Sequence, residues 1–254
     1  MKKFYNRLNF NHFNPLPWLQ HWLSASLPCP LCAAPAQKQL QLTHAPLCDA
    51  CVPSLPWYVS ARCPQCALPT STGAYCGICL QHPPAFDHTL APFRYAYPLD
   101  RLLQQFKYHQ QLPLGKLLAQ SMLPTINPLL QADKPEVMVA MPMHPYRVRQ
   151  RGFNHALELA RHLQTALQIP LEMTGCSRTL DTPSQAGMDM KTRTRNLRGA
   201  FASQTQWQGK HVLVVDDVMT TGASMHALAK VLKHAGAGQI TALVVARTLK
   251  STED

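Results

Sequence analysis

Four Cys-x-x-Cys pairs within one short stretch constrain the fold of this 254-residue chain more than any other feature. The pairs are Cys29 with Cys32, Cys48 with Cys51, Cys63 with Cys66, and Cys76 with Cys79. Two thiolates three residues apart can bind one tetrahedral ion from a single tight turn, and a second pair completes the coordination. The spacing predicts two structural Zn²⁺ sites built from consecutive pairs, because sequential pairing closes the smallest loops.

The segment that holds these pairs, residues 29–85, contains little apolar sequence for a core of its own. Modules of about 50 residues rarely bury enough surface to fold unaided, so zinc is expected to contribute on the order of 10 kcal/mol per site. Iron–sulfur ligation is the competing metal chemistry, with less regular spacings, and a redox dithiol is usually a single pair. The module is either purely structural or an interaction surface for nucleic acid or a protein partner.

The charge and composition of the chain indicate which ligands it attracts and where in the cell it is located. The chain carries 24 Lys and Arg against 13 Asp and Glu, a net charge of +11 that attracts nucleic acid, phosphorylated metabolites or anionic membrane surfaces. No apolar run approaches the roughly 20 residues of a membrane span, so stable membrane insertion is not expected. Residues 1–28 do not have the pattern of a signal peptide and predict an N-terminal arm. Cysteine-rich sequence without an export signal favours a reducing, cytoplasmic location.

Residues 86–254 have the pattern of an α/β domain. Short apolar runs at 137–141, 211–215 and 240–246 predict strands buried on both faces of a parallel sheet, and 169–173 is a weaker fourth candidate. Apolar stripes from Ala156 to Leu167 and from Leu228 to Ala235 predict flanking helices. This alternation predicts a parallel sheet, and ligands of such sheets lie at the carboxyl ends of the strands.

The run that ends at Val215 leads into the most informative stretch of the sequence. Asp216 and Asp217 follow it, then a hydroxyl-rich turn, and then the second predicted helix. Backbone N–H groups in the turn and the first helical turn can bind a phosphate; these residues are Thr220, Thr221, Gly222, Ala223 and Ser224. Adjacent carboxylates would repel that phosphate unless they bind ribose hydroxyls or Mg²⁺. The alternative is a capped helix beside a solvated acidic pair.

Two further segments supply cations. Arg147, Arg149, Arg151 and Gly152 follow the strand predicted at 137–141, and guanidinium groups there can bind a diphosphate through paired hydrogen bonds. Asn154 is expected to cap the next helix. Residues 181–198, which include Arg193, show no periodicity, which is typical of an active-site lid. The alternatives are a solvated basic turn and an ordinary charged surface loop.

The acidic pair and the Thr-Gly turn resemble the signature of the type I phosphoribosyltransferases, which bind phosphoribosyl pyrophosphate (PRPP). Residues 142–155 resemble the pyrophosphate-loop region of the ComF/GntX family. The further matches to that family are the four leading cysteine pairs, Phe106-Lys107-Tyr108, Arg178-Thr179, Gln185, Arg193, Asn196 and Arg247-Thr248-Leu249. The resemblance covers roughly residues 29–249, and Ser224 stands where many relatives have threonine.

The resemblance implies a double zinc ribbon over residues 29–85 and a phosphoribosyltransferase-like domain over 86–254. Asp216 and Asp217 would then be the catalytic pair that holds the ribose, and residues 220–224 would bind the 5′-phosphate. Arg151 would bind the pyrophosphate together with Mg²⁺. The remaining PRPP ligands would be Lys107, Arg147, Arg149, Gly152 and Arg193.

Two hypotheses about function follow from the family's link to natural competence and growth on extracellular DNA. In the first, the chain is a phosphoribosyltransferase of unidentified acceptor that acts in DNA uptake. In the second, it is a non-catalytic adaptor that senses PRPP and binds single-stranded DNA or a DNA-uptake helicase. Release of pyrophosphate from PRPP in the presence of one particular base would separate the two.

Overall fold

The computed structural model describes residues 28–34, 47–181, 197 and 199–249. Most of the expected N-terminal arm, residues 1–27, lies outside these ranges. So does the expected lid over 181–198 apart from Asp181 and Leu197, and Arg193 falls in that gap. Within the described ranges, no helix combines the length and the apolar character that crossing a membrane requires.

A six-stranded parallel sheet forms the centre of the molecule and confirms the predicted α/β class. Its strands are β1 (His88–Leu90), β2 (Phe93–Arg94), β3 (Val137–Ala140), β4 (Leu171–Glu172), β7 (His211–Met219) and β8 (Gln239–Arg247). The order is β1-β8-β7-β3-β4, and β2 pairs with the carboxyl end of β8. Two more strands, β5 (Cys176–Arg178) and β6 (Phe201–Ser203), form a separate antiparallel pair.

The strand β7 is longer than the sequence predicts. It was expected to end at Val215, before the acidic pair, but it pairs with β8 as far as Met219 and Arg247. The ladder therefore carries Asp216 and Asp217 within the strand, because β8 offers backbone partners along its whole length. Strands β1 and β2 contain only three and two residues, too few to produce a periodic pattern in the sequence.

The described part of the chain contains six helices. They are α1 (Gly77–Gln81), α2 (Leu99–Tyr108), α3 (Pro113–Ala132), α4 (Pro145–Arg151), α5 (His155–Leu167) and α6 (Ala223–His234). Helix α5 buries its whole predicted stripe, from Ala156 to Leu167. Helix α6 buries Leu228 and Leu232 together with Met225. Both predicted stripes therefore lie against the body of the domain.

The cysteine-rich segment packs into the same cores as the sheet. Cys29, Leu47 and Leu55 belong to the core that contains the buried side chains of α2, α3 and α5. Tyr58 and Ala67 belong to the second core, which contains the buried side chains of α6. The zinc-type module and the α/β domain thus bury apolar surface together.

Candidate functional site

The eight paired cysteines form two groups in space. Cys29, Cys32, Cys48 and Cys51 make one group and Cys63, Cys66, Cys76 and Cys79 the other, with the Sγ atoms of each group within 4.8 Å of one another. Sulfur–sulfur distances of 3.5 Å (Cys32 to Cys48) and 3.6 Å (Cys66 to Cys76) link the pairs within each group. Zinc–thiolate bonds of about 2.3 Å place tetrahedral ligands about 3.8 Å apart, so both groups fit Zn²⁺. The grouping follows the sequential order that loop closure predicts.

A turn and a helix N-terminus follow β7. Thr220 and Thr221 form the turn, Gly222 is the N-cap of α6, and Ala223 and Ser224 begin the helix. These five residues line a pocket together with Asp216. Gly222 has φ +79°, a left-handed conformation that glycine adopts without strain. The predicted phosphate-binding residues therefore surround one pocket at the carboxyl end of the sheet.

The acidic pair lies beside this pocket and has a counter-ion within the chain. Lys107, in the last turn of α2, places its Nζ 2.6 Å from Asp217 Oδ2. The Asp217 side chain is only 5% exposed. Mg²⁺ between the two carboxylates stays a prediction, and the residues that could hold it are Asp216, Asp217 and His155, whose ligand atoms lie within 4.8 Å of one another.

Asp216 lines the pocket itself. Burial raises the pKa of its carboxyl group from 3.8 to about 6, although Lys107 and Arg178 favour the charged form. Burial also lowers the pKa of Lys107 to about 8, against the attraction of Asp216. The two carboxylates thus lie in a partly desolvated site in which cations from α2 and β5 balance their charge.

His155 is a member of this site that the sequence analysis did not assign. Its Nε2 lies 3.3 Å from Asp217 Oδ2, and its Nδ1 lies 3.4 Å from Arg151 Nη1. Burial, Lys107 and Arg151 all lower its pKa well below the usual value, so the imidazole is neutral at pH 7. The signal was available, because His155 directly follows Asn154, whose side chain caps α5 by accepting from Ala156 N and Leu157 N.

The three arginines of α4 do not act as one group. Arg151 lies with its guanidinium 5.0 Å from the centre of the Tyr108 ring and next to His155. Arg147 donates from Nε to Asp181 Oδ1 at 2.8 Å, and Arg149 is exposed. Residues four apart share a helix face whereas residues two apart do not, so Arg149 points away from the other two. Arg151 reaches the acidic cluster through His155, which contacts Asp217.

Gly152 ends α4 with φ +86°, and its N–H donates to the Val148 carbonyl. Its role is thus to reverse the chain between α4 and α5, which brings Arg151 and His155 together. Arg178, on β5, was noted in the sequence only as a family match, yet it is close enough to lower the pKa of Asp216. Arg193, predicted to bind PRPP, lies outside the described residues.

Two domain models match separate parts of this chain. The phosphoribosyl transferase domain model matches residues 148–254, and the double zinc ribbon domain model matches residues 21–80. The DNA utilization protein YhgH of Escherichia coli is 32% identical over 228 residues, covering 87% of this chain and 97% of that protein. Competence protein F of Haemophilus influenzae is 28% identical over 215 residues, covering 82% and 88%. A solved purine phosphoribosyltransferase from Pyrococcus horikoshii aligns with a TM-score of 0.33 and 18% identity over 63% of this chain and 76% of its own.

A parallel sheet with a phosphate-type turn after β7, preceded by two four-cysteine groups, defines a phosphoribosyltransferase-fold protein with a double zinc ribbon. The sequence is 32% identical to the Escherichia coli protein along nearly the whole length of that protein, which identifies the family within this class. The chain belongs to the ComF/GntX family, as the cysteine pairs and residues 142–155 predicted.

Proposed function

We propose that this protein binds PRPP and acts as a phosphoribosyltransferase in DNA uptake. The observation that carries the proposal is a single pocket lined by Asp216 and by the turn and helix N-terminus over residues 220–224. A helix N-terminus favours a phosphate, and a carboxylate beside it favours the hydroxyls of a sugar. A ribose 5-phosphate unit carries both kinds of group in one molecule.

The proposed division of roles follows the chemistry of each residue. The backbone N–H groups of residues 220–224 bind the 5′-phosphate, and Asp216 and Asp217 accept hydrogen bonds from the ribose hydroxyls. Arg151 binds the diphosphate through its guanidinium fork. Mg²⁺ is usually held by substrate phosphates and only one or two carboxylates, so it would enter with the diphosphate and neutralise it as it leaves.

The proposed reaction exchanges one bond at the anomeric carbon of the ribose. A nitrogen of the acceptor base forms a bond to that carbon, the bond to the pyrophosphate oxygen breaks, and the base loses a proton. Positive charge develops on the ribose ring as the pyrophosphate leaves. Carboxylates in a partly desolvated pocket stabilise such charge more strongly than water does.

The names of the relatives support the proposed role in DNA uptake, and they say nothing about PRPP or about transfer of its ribose. One is a DNA utilization protein and another a competence protein, so we assign this chain to the use of DNA from outside the cell. The net charge of +11 is consistent with a polyanionic ligand or partner. A cytoplasmic location remains part of this proposal.

Calorimetry with PRPP and Mg²⁺ tests the binding step. We expect the parent protein to bind and the Asp216→Asn/Asp217→Asn double variant to lose at least about 10-fold in affinity, because two charged acceptors for the ribose are removed. Glu158→Gln is the matched control, because Glu158 is a carboxylate that pairs with Arg161 on α5, away from the pocket. Equal affinity of the double variant and the parent would contradict the ribose role.

Incubation with PRPP, Mg²⁺ and a panel of nucleobases tests the transfer step. We expect pyrophosphate release that depends on one of the bases and is abolished in the double variant. Binding of PRPP without base-dependent release would contradict the enzyme and support the non-catalytic adaptor.

A further inference from the structure

The third cysteine pair is attached to the α/β domain through its backbone. Four successive carbonyls in and after the turn between Cys63 and Cys66 each accept a hydrogen bond from outside it. The bonds run from Thr89 N to Pro64 O, from Thr89 Oγ1 to Gln65 O, from Arg247 Nε to Cys66 O and from Tyr58 Oη to Ala67 O. This turn therefore lies in a defined position against the sheet.

Arg247 joins this turn to the phosphate pocket. Its side chain is almost completely buried, with 3% of the residue exposed. Nε donates to the carbonyl of Cys66 at 2.9 Å, and Nη1 donates to the carbonyls of Met219 (2.9 Å) and Thr220. One planar guanidinium thus binds a cysteine of the second zinc-type group, the last residue of β7 and the first residue of the phosphate turn.

The charge of Arg247 requires compensation, because a buried cation without a partner is costly. Among the described residues, no carboxylate lies within ion-pair distance of it. Four thiolates around one Zn²⁺ carry a net charge of about −2. The negative charge that would balance Arg247 is that of the Cys63–Cys79 group with its zinc ion. Arg247 already contacts this group through the carbonyl of Cys66.

The contacts of Arg247 also orient the phosphate turn. A trans peptide points its carbonyl and its N–H in opposite directions. Because Arg247 holds the Thr220 carbonyl, the Thr221 N–H of the same peptide points away from Arg247. Thr221 lines the pocket, so this constraint acts on a residue to which the 5′-phosphate is assigned.

The first cysteine group is attached differently. Cys29 and Leu47 lie in the core on the α2–α3 side of the sheet. Ala67, which follows the third pair, shares the other core with Met219 and Met225 at the phosphate turn. The two groups therefore contact different faces of the sheet, and the second is the one next to the pocket.

We propose that Arg247 is a positioning residue that couples the second zinc site to the phosphate turn, so that each site stabilises the other. This inference rests on the proposed PRPP function for its ligand, but the link between the two sites is a property of the fold. Coupling between two binding sites is reciprocal. A ligand in the pocket should therefore raise the affinity for the second zinc ion by the same factor by which that ion raises the affinity for the ligand.

Arg247→Lys in the full-length zinc-loaded protein tests the link. Lysine keeps the charge but lacks the fork that reaches both the Cys66 carbonyl and the turn. Arg62→Lys is the matched control, because Arg62 also joins the ribbon to the sheet edge, from Nη1 to the carbonyls of Tyr58 and Ala91, without touching the turn. We expect amide hydrogen exchange over residues 220–224 to accelerate at least about 10-fold in Arg247→Lys and less than about 2-fold in Arg62→Lys.

Zinc release to a chelator gives a second measurement, which compares the parent with Arg247→Lys. We expect saturating PRPP with Mg²⁺ to slow the release of one of two zinc ions about 5-fold in the parent and to have no effect in Arg247→Lys. Equal hydrogen exchange over residues 220–224 in Arg247→Lys and Arg62→Lys would overturn the coupling. So would PRPP binding to the parent that changes the release rate of neither zinc ion. If the parent does not bind PRPP but exchange accelerates only in Arg247→Lys, the link is supported and the proposed function fails.

Discussion

Lys107 Nζ lies 2.6 Å from Asp217 Oδ2, and this ion pair joins the end of α2 to the strand β7 at the candidate site. The side chains are 19% and 5% exposed, so the pair is largely removed from water. Breaking a buried pair by removing one partner is far more costly than replacing both, because an unpaired charge remains. Lys107 therefore has a structural role in addition to any contact with a ligand.

Substitution of Lys107 should reveal that role as a loss of stability. We expect Lys107→Met to lower the free energy of unfolding by about 3 kcal/mol, and Lys107→Met/Asp217→Asn to recover most of the loss. Lys233→Met is the control, because Lys233 pairs with Asp87 between side chains that are 32% and 39% exposed. That change should cost no more than about 1 kcal/mol. Urea denaturation measures all three, and equal losses for Lys107→Met and Lys233→Met would contradict the buried pair.

The raised pKa of Asp216 predicts a pH dependence of stability with a defined sign. Burial moves this pKa from 3.8 to about 6, so the folded state binds the Asp216 proton more tightly than the unfolded state does. Stability from this group is therefore present below about pH 4 and is lost as the pH rises through about 6. Relative to Asp216→Asn, the parent should lose about 2 kcal/mol between pH 4 and pH 7. Parallel stability curves for the two proteins over this range would contradict the shift.

The two four-cysteine groups predict the metal content of the protein. Protein purified without added zinc should contain about two zinc ions per chain by elemental analysis. Cys51→Ser and Cys76→Ser should each retain about one ion, because they disable different groups. A single variant that loses both ions would indicate one shared metal centre and would contradict the two separate groups.

The net charge of +11 predicts that the protein binds single-stranded DNA weakly and that this binding is sensitive to salt. With about four to six phosphates neutralised, log affinity should fall with log salt at a slope of roughly −3 to −4, with micromolar affinity at physiological salt. Anisotropy of a labelled strand of about thirty nucleotides measures this in the full chain. Arg149→Ala should reduce the slope by about 1 if the exposed side of α4 contacts DNA.

Saturating PRPP serves as the control for the location of the DNA. Displacement by PRPP would place the strand over the phosphate pocket, whereas unchanged binding would place it elsewhere. No binding at roughly 50 mM salt, where the electrostatic contribution is large, would contradict direct contact with DNA.

Motifs made of neighbouring residues could be predicted from the sequence. The cysteine pairs, the acidic pair with its turn, and the Asn154 cap each depend on the spacing of a few residues, which local geometry translates directly into structure. The apolar runs predicted the central strands for the same reason, because burial on both faces requires uninterrupted apolar residues. The family and the fold class followed from these local patterns.

Contacts between distant residues were decided only by the tertiary structure. Lys107 and Asp217, like Cys66 and Arg247, lie far apart in the chain, and they meet because α2 and the turn after Cys63 both pack against the sheet. Arg147, Arg149 and Arg151 look equivalent in the sequence, but the turn of α4 sends Arg149 to solvent. Which cation neutralises which carboxylate depends on packing over many residues, and no short pattern in the sequence records it.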